Sequence, residues 1–314
     1  MTLLLEPFAT DFMLRALIGG SLCAAVCAIV GTWVVIRGMA FLGEAMAHGM
    51  LPGVALATLA GVPVILGAAC SAIVMSLGVS LLARRGRLSH DTSIGLFFVG
   101  MLAAGVIIIS HSRSFATDAT AILFGDVLAI GPGEVQLLIG ALILTVLIAV
   151  AFHRSFVALA FDRRVAHVMG LQPRLAQVLL VGLVTLAVVA SYQAVGALLV
   201  IGLLLAPAVA AAAWTTRIPT TMGLAALIGA VSVFLGLLAS WHYGTAAGAS
   251  IALTAIACAA LSSTIRGITR RHTSADTPTS SPAESSTGSS SEVLDHSAGP
   301  APVRPSQKVL RANA

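Results

Sequence analysis

Nine long apolar runs separated by polar connectors occupy most of residues 13 to 265, at about 13–36, 40–60, 63–83, 92–110, 134–152, 175–191, 195–213, 219–240 and 245–265. A helix needs roughly 20 predominantly apolar residues to cross the hydrocarbon core of a bilayer, and each run is close to that length. The pattern predicts an all-α fold, a polytopic transmembrane helical bundle with eight or nine spanning helices. The count turns on the pair 175–191 and 195–213. The connector Ser191-Tyr192-Gln193 is very short, and Gly196 and Pro207 are potential helix breakers in the second run. With eight helices, one run has to be re-entrant.

The ends read differently from the body. Residues 1–12 contain Glu6 and Asp11 and no basic residue, so the first run reads as a transmembrane helix and not as a cleaved signal. From residue 272 to 314 the apolar pattern gives way to Ser, Thr, Pro and Ala, as in the stretch that begins Ser274-Ala-Asp-Thr-Pro. Such a segment buries too little apolar surface to offset its ordering entropy and is expected to be disordered. The organisation expected is an external segment 1–12, a transmembrane permease domain 13–271 and a cytoplasmic tail 272–314.

Composition agrees with a membrane protein. Of the 314 residues 58% are hydrophobic and 9% charged, where a soluble domain carries about a quarter charged. The net charge of +5 does not indicate a nucleic-acid partner, because the arginines sit between apolar runs and form no contiguous patch. They set orientation instead. Arg84, Arg85 and Arg87, the segment 153–174, Arg217 and the cluster Arg266 to Arg271 read as cytoplasmic, while the connectors near 61, 111–133 and 241–244 hold one arginine, Arg113. Nine crossings then put the N-terminus outside and the C-terminus inside. The cysteines, Cys23, Cys27, Cys70 and Cys258, all fall in apolar runs. They read as small buried core residues, although Cys23 and Cys27 share a helical face and are conceivable soft ligands.

Two ionisable residues interrupt the second run, Glu44 and His48. Ionisable groups inside a membrane span are costly and mark function by default. Four residues apart, they stack on one helical face, about 6 Å apart along the axis. An oxygen and a nitrogen ligand together suit a divalent transition metal. The structural alternative is a carboxylate favoured by a helix N-terminus and a histidine bonded to a neighbouring helix. Two ligands are too few for a tight site, so others have to come from elsewhere. Asp91, Asp118, Asp126 and His111 are available, though solvation or capping explains each more simply; Ser191 and Gln193 offer neutral oxygens.

The segment around 162–170 is polar, of helix length and cytoplasmic, with Gly170 as a stop and Pro173 beyond it. A motor subunit could push on such a helix; an ordinary amphipathic loop helix is the alternative. The only lysine is Lys308, so the chain has no Gly-x-x-x-x-Gly-Lys-Ser/Thr phosphate loop, and any ATP that drives it is bound by another chain.

The chain resembles the metal-transporting ABC permeases for zinc and manganese, the ABC-3 family. The similar stretches are Arg37 to Leu56, Leu123-Phe-Gly-Asp126, Phe161-Asp162 with Ala166 and Gly170-Leu171, and Gln193 to Val200 followed by Leu203 to Ala208. They fall in the family's order. The resemblance implies a multi-pass protein of the cell membrane that is a transporter subunit and not an enzyme. It implies a homodimer in the lipid bilayer, with a separate cytoplasmic ABC ATPase and an extracytoplasmic metal-binding protein that delivers the ion. Glu44 and His48 would be the metal ligands, Zn2+ or Mn2+ the transported substrate with no resident cofactor, and a coupling helix at about 162–170, with Asp162, Ala166 and Gly170, would seat on the ATPase. Members commonly carry Asp where this chain has Glu44. Two other functions fit the hydropathy: a permease for iron complexes or vitamins, whose bulky chelates would not need the Glu44/His48 pair, and an intramembrane metalloenzyme, which lacks the second histidine such sites use.

Overall fold

The computed structural model describes residues 6–84, 90–110, 125–161 and 173–275, and among these the chain is helical with no strand. Its helices are α1 (Asp11–Ile36), α2 (Ala40–Gly49), α3 (Leu51–Ala60), α4 (Val64–Arg84), α5 (His90–Ser110), α6 (Pro132–Ala151), α7 (His153–Phe161), α8 (Pro173–Ala212), α9 (Ile218–Tyr243) and α10 (Ala247–Ala275). Nine membrane-length spans lie among the described residues, with α2 and α3 together forming one and α8 supplying two. The higher of the two expected counts is therefore the observed one.

The long helix α8 shows how two spans arise without a loop. Gly196 has φ 72° and ψ 168°, outside helical geometry and in a region only glycine adopts readily. Thr185 and Leu204 are nineteen residues apart, about 28 Å along a straight helix. Yet Thr185 meets Met46 and Leu204 meets Gly43, within one turn of α2. The chain must therefore double back between them, which divides α8 into Leu175–Tyr192 and Ala194–Ala212. Ser191 and Tyr192, read above as a connector, are buried in the first half, and Pro207 lies within the second without ending it.

The spans sort into a centre and a periphery. Ala40–Ala60 and Ala194–Ala212 are each 67% buried, whereas Thr92–Ser110 and Ala247–Arg266 are 17% buried and present leucines and isoleucines outward, the surface a lipid-facing helix needs. In the centre α1 packs along α8 and α9. Small residues allow this: a Cβ on Gly31 would strike the Leu204 carbonyl oxygen, so the two backbones touch there. Gly53 of α3 and Gly67 of α4 form a second such crossing.

Phe8 stacks on Phe234 of α9, with centroids 5.0 Å apart, and α1 begins at Asp11, so residues 8–12 pack on or join the helices. The chain divides into the units Met1–His272 and Thr273–Ala314. Helix α10 nevertheless continues through Ala275, four residues into the segment expected to be disordered, because the first proline that could stop it is Pro278. The rest of that tail lies outside the described residues.

Candidate metal-ion site

The second span is broken in the middle. The apolar run predicts one continuous helix, but α2 ends at Gly49 and α3 restarts at Leu51. Pro52 explains the break: it has no N–H to give the carbonyl of His48 four residues earlier. The Ser71 hydroxyl of α4 donates to the Gly49 carbonyl at 2.8 Å and so satisfies a backbone group at the break. Interrupted helices are tolerated at membrane depth where such partners exist.

Helix α2 is held firmly from one side. Leu42, Ala45, Met46, Ala47 and Met50 are buried. Ser76 of α4 and Thr185 of α8 share a 3.0 Å hydrogen bond and approach the Met46 sulfur at 3.7 and 3.9 Å. Met75 closes over Gly49. The opposite side carries Phe41 (40% exposed), an exposed Glu44 and a half-buried His48.

On that side Glu44 and His48 lie four residues apart within the helix α2, the spacing that shares one face. Neither side chain has a hydrogen-bond or ion-pair partner among the described residues. Phe98 of α5 meets the His48 imidazole in a T-shaped contact, centroids 5.8 Å apart and planes at 64°. The same phenyl ring meets Phe41 at 5.6 Å and 69°. Turned toward lipid, a bare carboxylate would cost about 3 kcal/mol or more. Its face therefore borders water, an ion or another chain.

The other proposed oxygen and nitrogen ligands do not join the pair. Among the described residues no group of three His, Cys, Asp or Glu side chains forms. Asp126 is exposed at the start of a 3-10 turn, Val127–Ala129, and makes no side-chain cap. Ser191 is fully buried, with its hydroxyl beside the Cys23 and Cys27 thiols of α1. His111 and Asp118, and the side chains of Asp91 and Gln193, lie outside the described residues. Cys23 and Cys27 are buried in α1 as expected, but Cys70 is exposed and Cys258 half-buried. They sit on α4 and α10, two peripheral helices, so an apolar run there does not imply a buried side chain.

Asp162, Ala166 and Gly170 also lie outside the described residues. The helix leading into that segment, α7, is described, and an aromatic cluster absent from the sequence reading docks it. Trp33 of α1 is fully buried and meets His153 at 5.7 Å and Phe156 at 5.3 Å, both T-shaped. No local pattern links these residues, which are more than a hundred positions apart. Trp33 lies four residues before the turn at Arg37-Gly38-Met39 that opens α2.

Comparison with known proteins agrees with this architecture. Residues 9–266 match the model of the ABC 3 transport family. The manganese transport system membrane protein MntC of Listeria innocua is 35% identical over 244 residues, 78% of this chain and 87% of that protein. A probable iron transport system membrane protein of Haemophilus influenzae is 34% identical over 252 residues, 80% of this chain and 92% of that protein. Among solved structures, PsaBC from Streptococcus pneumoniae in complex with Fab superposes with a TM-score of 0.74 at 30% identity, covering 82% of this chain and 94% of the other.

Proposed function

The chain belongs to the ABC 3 transport family, a multi-pass protein of the plasma membrane, and we propose that it is the permease subunit of an importer for a bare divalent metal ion, Mn2+ first and Zn2+ second. The observation that carries this reading is the pair Glu44 and His48, unpartnered on the open side of a broken membrane helix whose other side is tightly packed. One carboxylate and one imidazole replace part of an ion's water shell without binding it too strongly to release. The manganese relatives support the order of preference.

Two ligands leave a four- or six-coordinate ion unsatisfied. A second copy of the chain, related by a two-fold axis, would bring a second Glu44 and His48 to the same path and shield the exposed carboxylates from lipid. In this reading a separate ATPase docks on segment 162–170 from the cytoplasm, and an external binding protein delivers the ion. The absence of a phosphate loop from the whole sequence supports the separate ATPase. The iron-named relative favours a second reading, import of ferrous or chelated iron.

Radiolabelled Mn2+ uptake into cells that carry the whole importer tests the proposal. Unlabelled Mn2+ and Zn2+ should compete, and E44Q and H48A should abolish uptake at normal levels of permease in the membrane. Competition by chelated iron alone, or full uptake per molecule by both variants, contradicts it.

A further inference from the structure

Metal-binding histidines usually donate their second ring N–H to a carboxylate or carbonyl, which fixes the imidazole for coordination. His48 has no such acceptor among the described residues. Its ring contact is Phe98, 5.8 Å away at 64°. Phe98 is itself held by Phe41, at 5.6 Å and 69°, and the Phe41 ring lies over Gly95, one turn before Phe98 on α5, where a Cβ would stand 4.0 Å from Cε1. Phe41 and His48 are two turns apart on α2, with Glu44 between them. A single phenyl ring from α5 thus bridges the two ends of the ligand face.

We propose that Phe98 is a positioning residue for the metal site, restricting the His48 imidazole by an edge-to-face contact in place of a hydrogen bond, and that it thereby sets how strongly the site favours nitrogen-preferring ions. The proposal rests on His48 being a metal ligand. Its physical content is that the ring contact limits rotation of the imidazole where no hydrogen-bond acceptor among the described residues holds it. Either nitrogen can then serve as the ligand in the matching tautomer, and the ring can swing when the ion leaves. A hydrogen bond would hold the ring harder and slow release. Zn2+ draws more of its affinity from imidazole, and Mn2+ more from oxygen, so loss of the ring contact should fall mainly on Zn2+.

Equilibrium binding of 65Zn2+ and 54Mn2+ to the full-length chain in lipid nanodiscs tests this with H48A, F98L and the double variant. An aromatic pair of this kind corresponds to about a fivefold change in binding. F98L is expected to weaken Zn2+ binding by about that factor and Mn2+ binding by less than about twofold. On the H48A background F98L should cause no further loss, since its effect passes through the imidazole. F98Y, which keeps the ring, should bind both ions as wild type does. Should F98L fail to fold, F98M, similar in bulk without a ring, takes its place. Normal metal binding by H48A overturns the ligand assignment itself. Loss in H48A together with normal Zn2+ binding by F98L, equal loss of both ions, or an added loss on the H48A background overturns the role of Phe98 alone.

Discussion

At the scale of single residues the ligand face is set by what its side chains lack. Glu44 and His48 have no hydrogen-bond or ion-pair partner among the described residues, while Ser76 and Thr185 behind α2 pair with each other and approach the Met46 sulfur. Replacing Glu44 by Asp shortens the reach by one methylene and restores the residue common in the family the chain resembles. Glu44→Asp is expected to retain Mn2+ uptake and to change the Zn2+ concentration that halves it; a null phenotype would show that the site is built around the longer side chain. The buried pair Cys23 and Cys27 serves packing in this account. Ala at both should lower stability by about 1–2 kcal/mol and leave uptake per molecule unchanged. A loss of uptake in fully folded protein would show that the thiols take part in transport.

At the scale of elements, composition revealed where spans lie, and geometry had to supply how they are interrupted. The apolar run at 195–213 corresponds to the span Ala194–Ala212, and 40–60 to Ala40–Ala60. The break after Gly49 was not legible in that way, since hydropathy is summed over about 19 residues and the break occupies one or two; the division of α8 was legible, as two runs with Gly196 a potential breaker near their junction. The spacing of Glu44 and His48 placed both on one face correctly because it depends only on local helical periodicity. Phe98 could not be found so, being joined to His48 only by tertiary packing. The crossing of α3 and α4 gives a test at this scale. Gly53→Leu would drive a side chain into the Gly67 backbone, at a cost of about 1–3 kcal/mol or more, seen as a lower Tm in detergent. An unchanged Tm would mean that the two helices are not in backbone contact. For the segment beyond α7, a cysteine at Val165 should crosslink to the ATPase in membranes. Free labelling of that cysteine from outside the cell would contradict the docking.

For the whole molecule, a packed centre of α1, α2, α3 and α8 is surrounded by lipid-facing helices, and the open face of α2 is where a second copy and an ion would meet. The tail is expected to be dispensable for transport, because its Ser, Thr, Pro and Ala content buries little apolar surface. Truncation after Ala275 should leave uptake at its full rate at both low and high external metal, and a loss at both would show that the tail is needed. Coordination of the ion by the His48 imidazole is measured most directly by pulsed electron paramagnetic resonance of Mn2+ bound to the full-length permease, because a coordinated imidazole imprints 14N modulation on the Mn2+ echo. The account predicts 14N modulation in the wild type and none in H48A. A bound Mn2+ ion without nitrogen modulation in the wild type, or with modulation that persists in H48A, would contradict it.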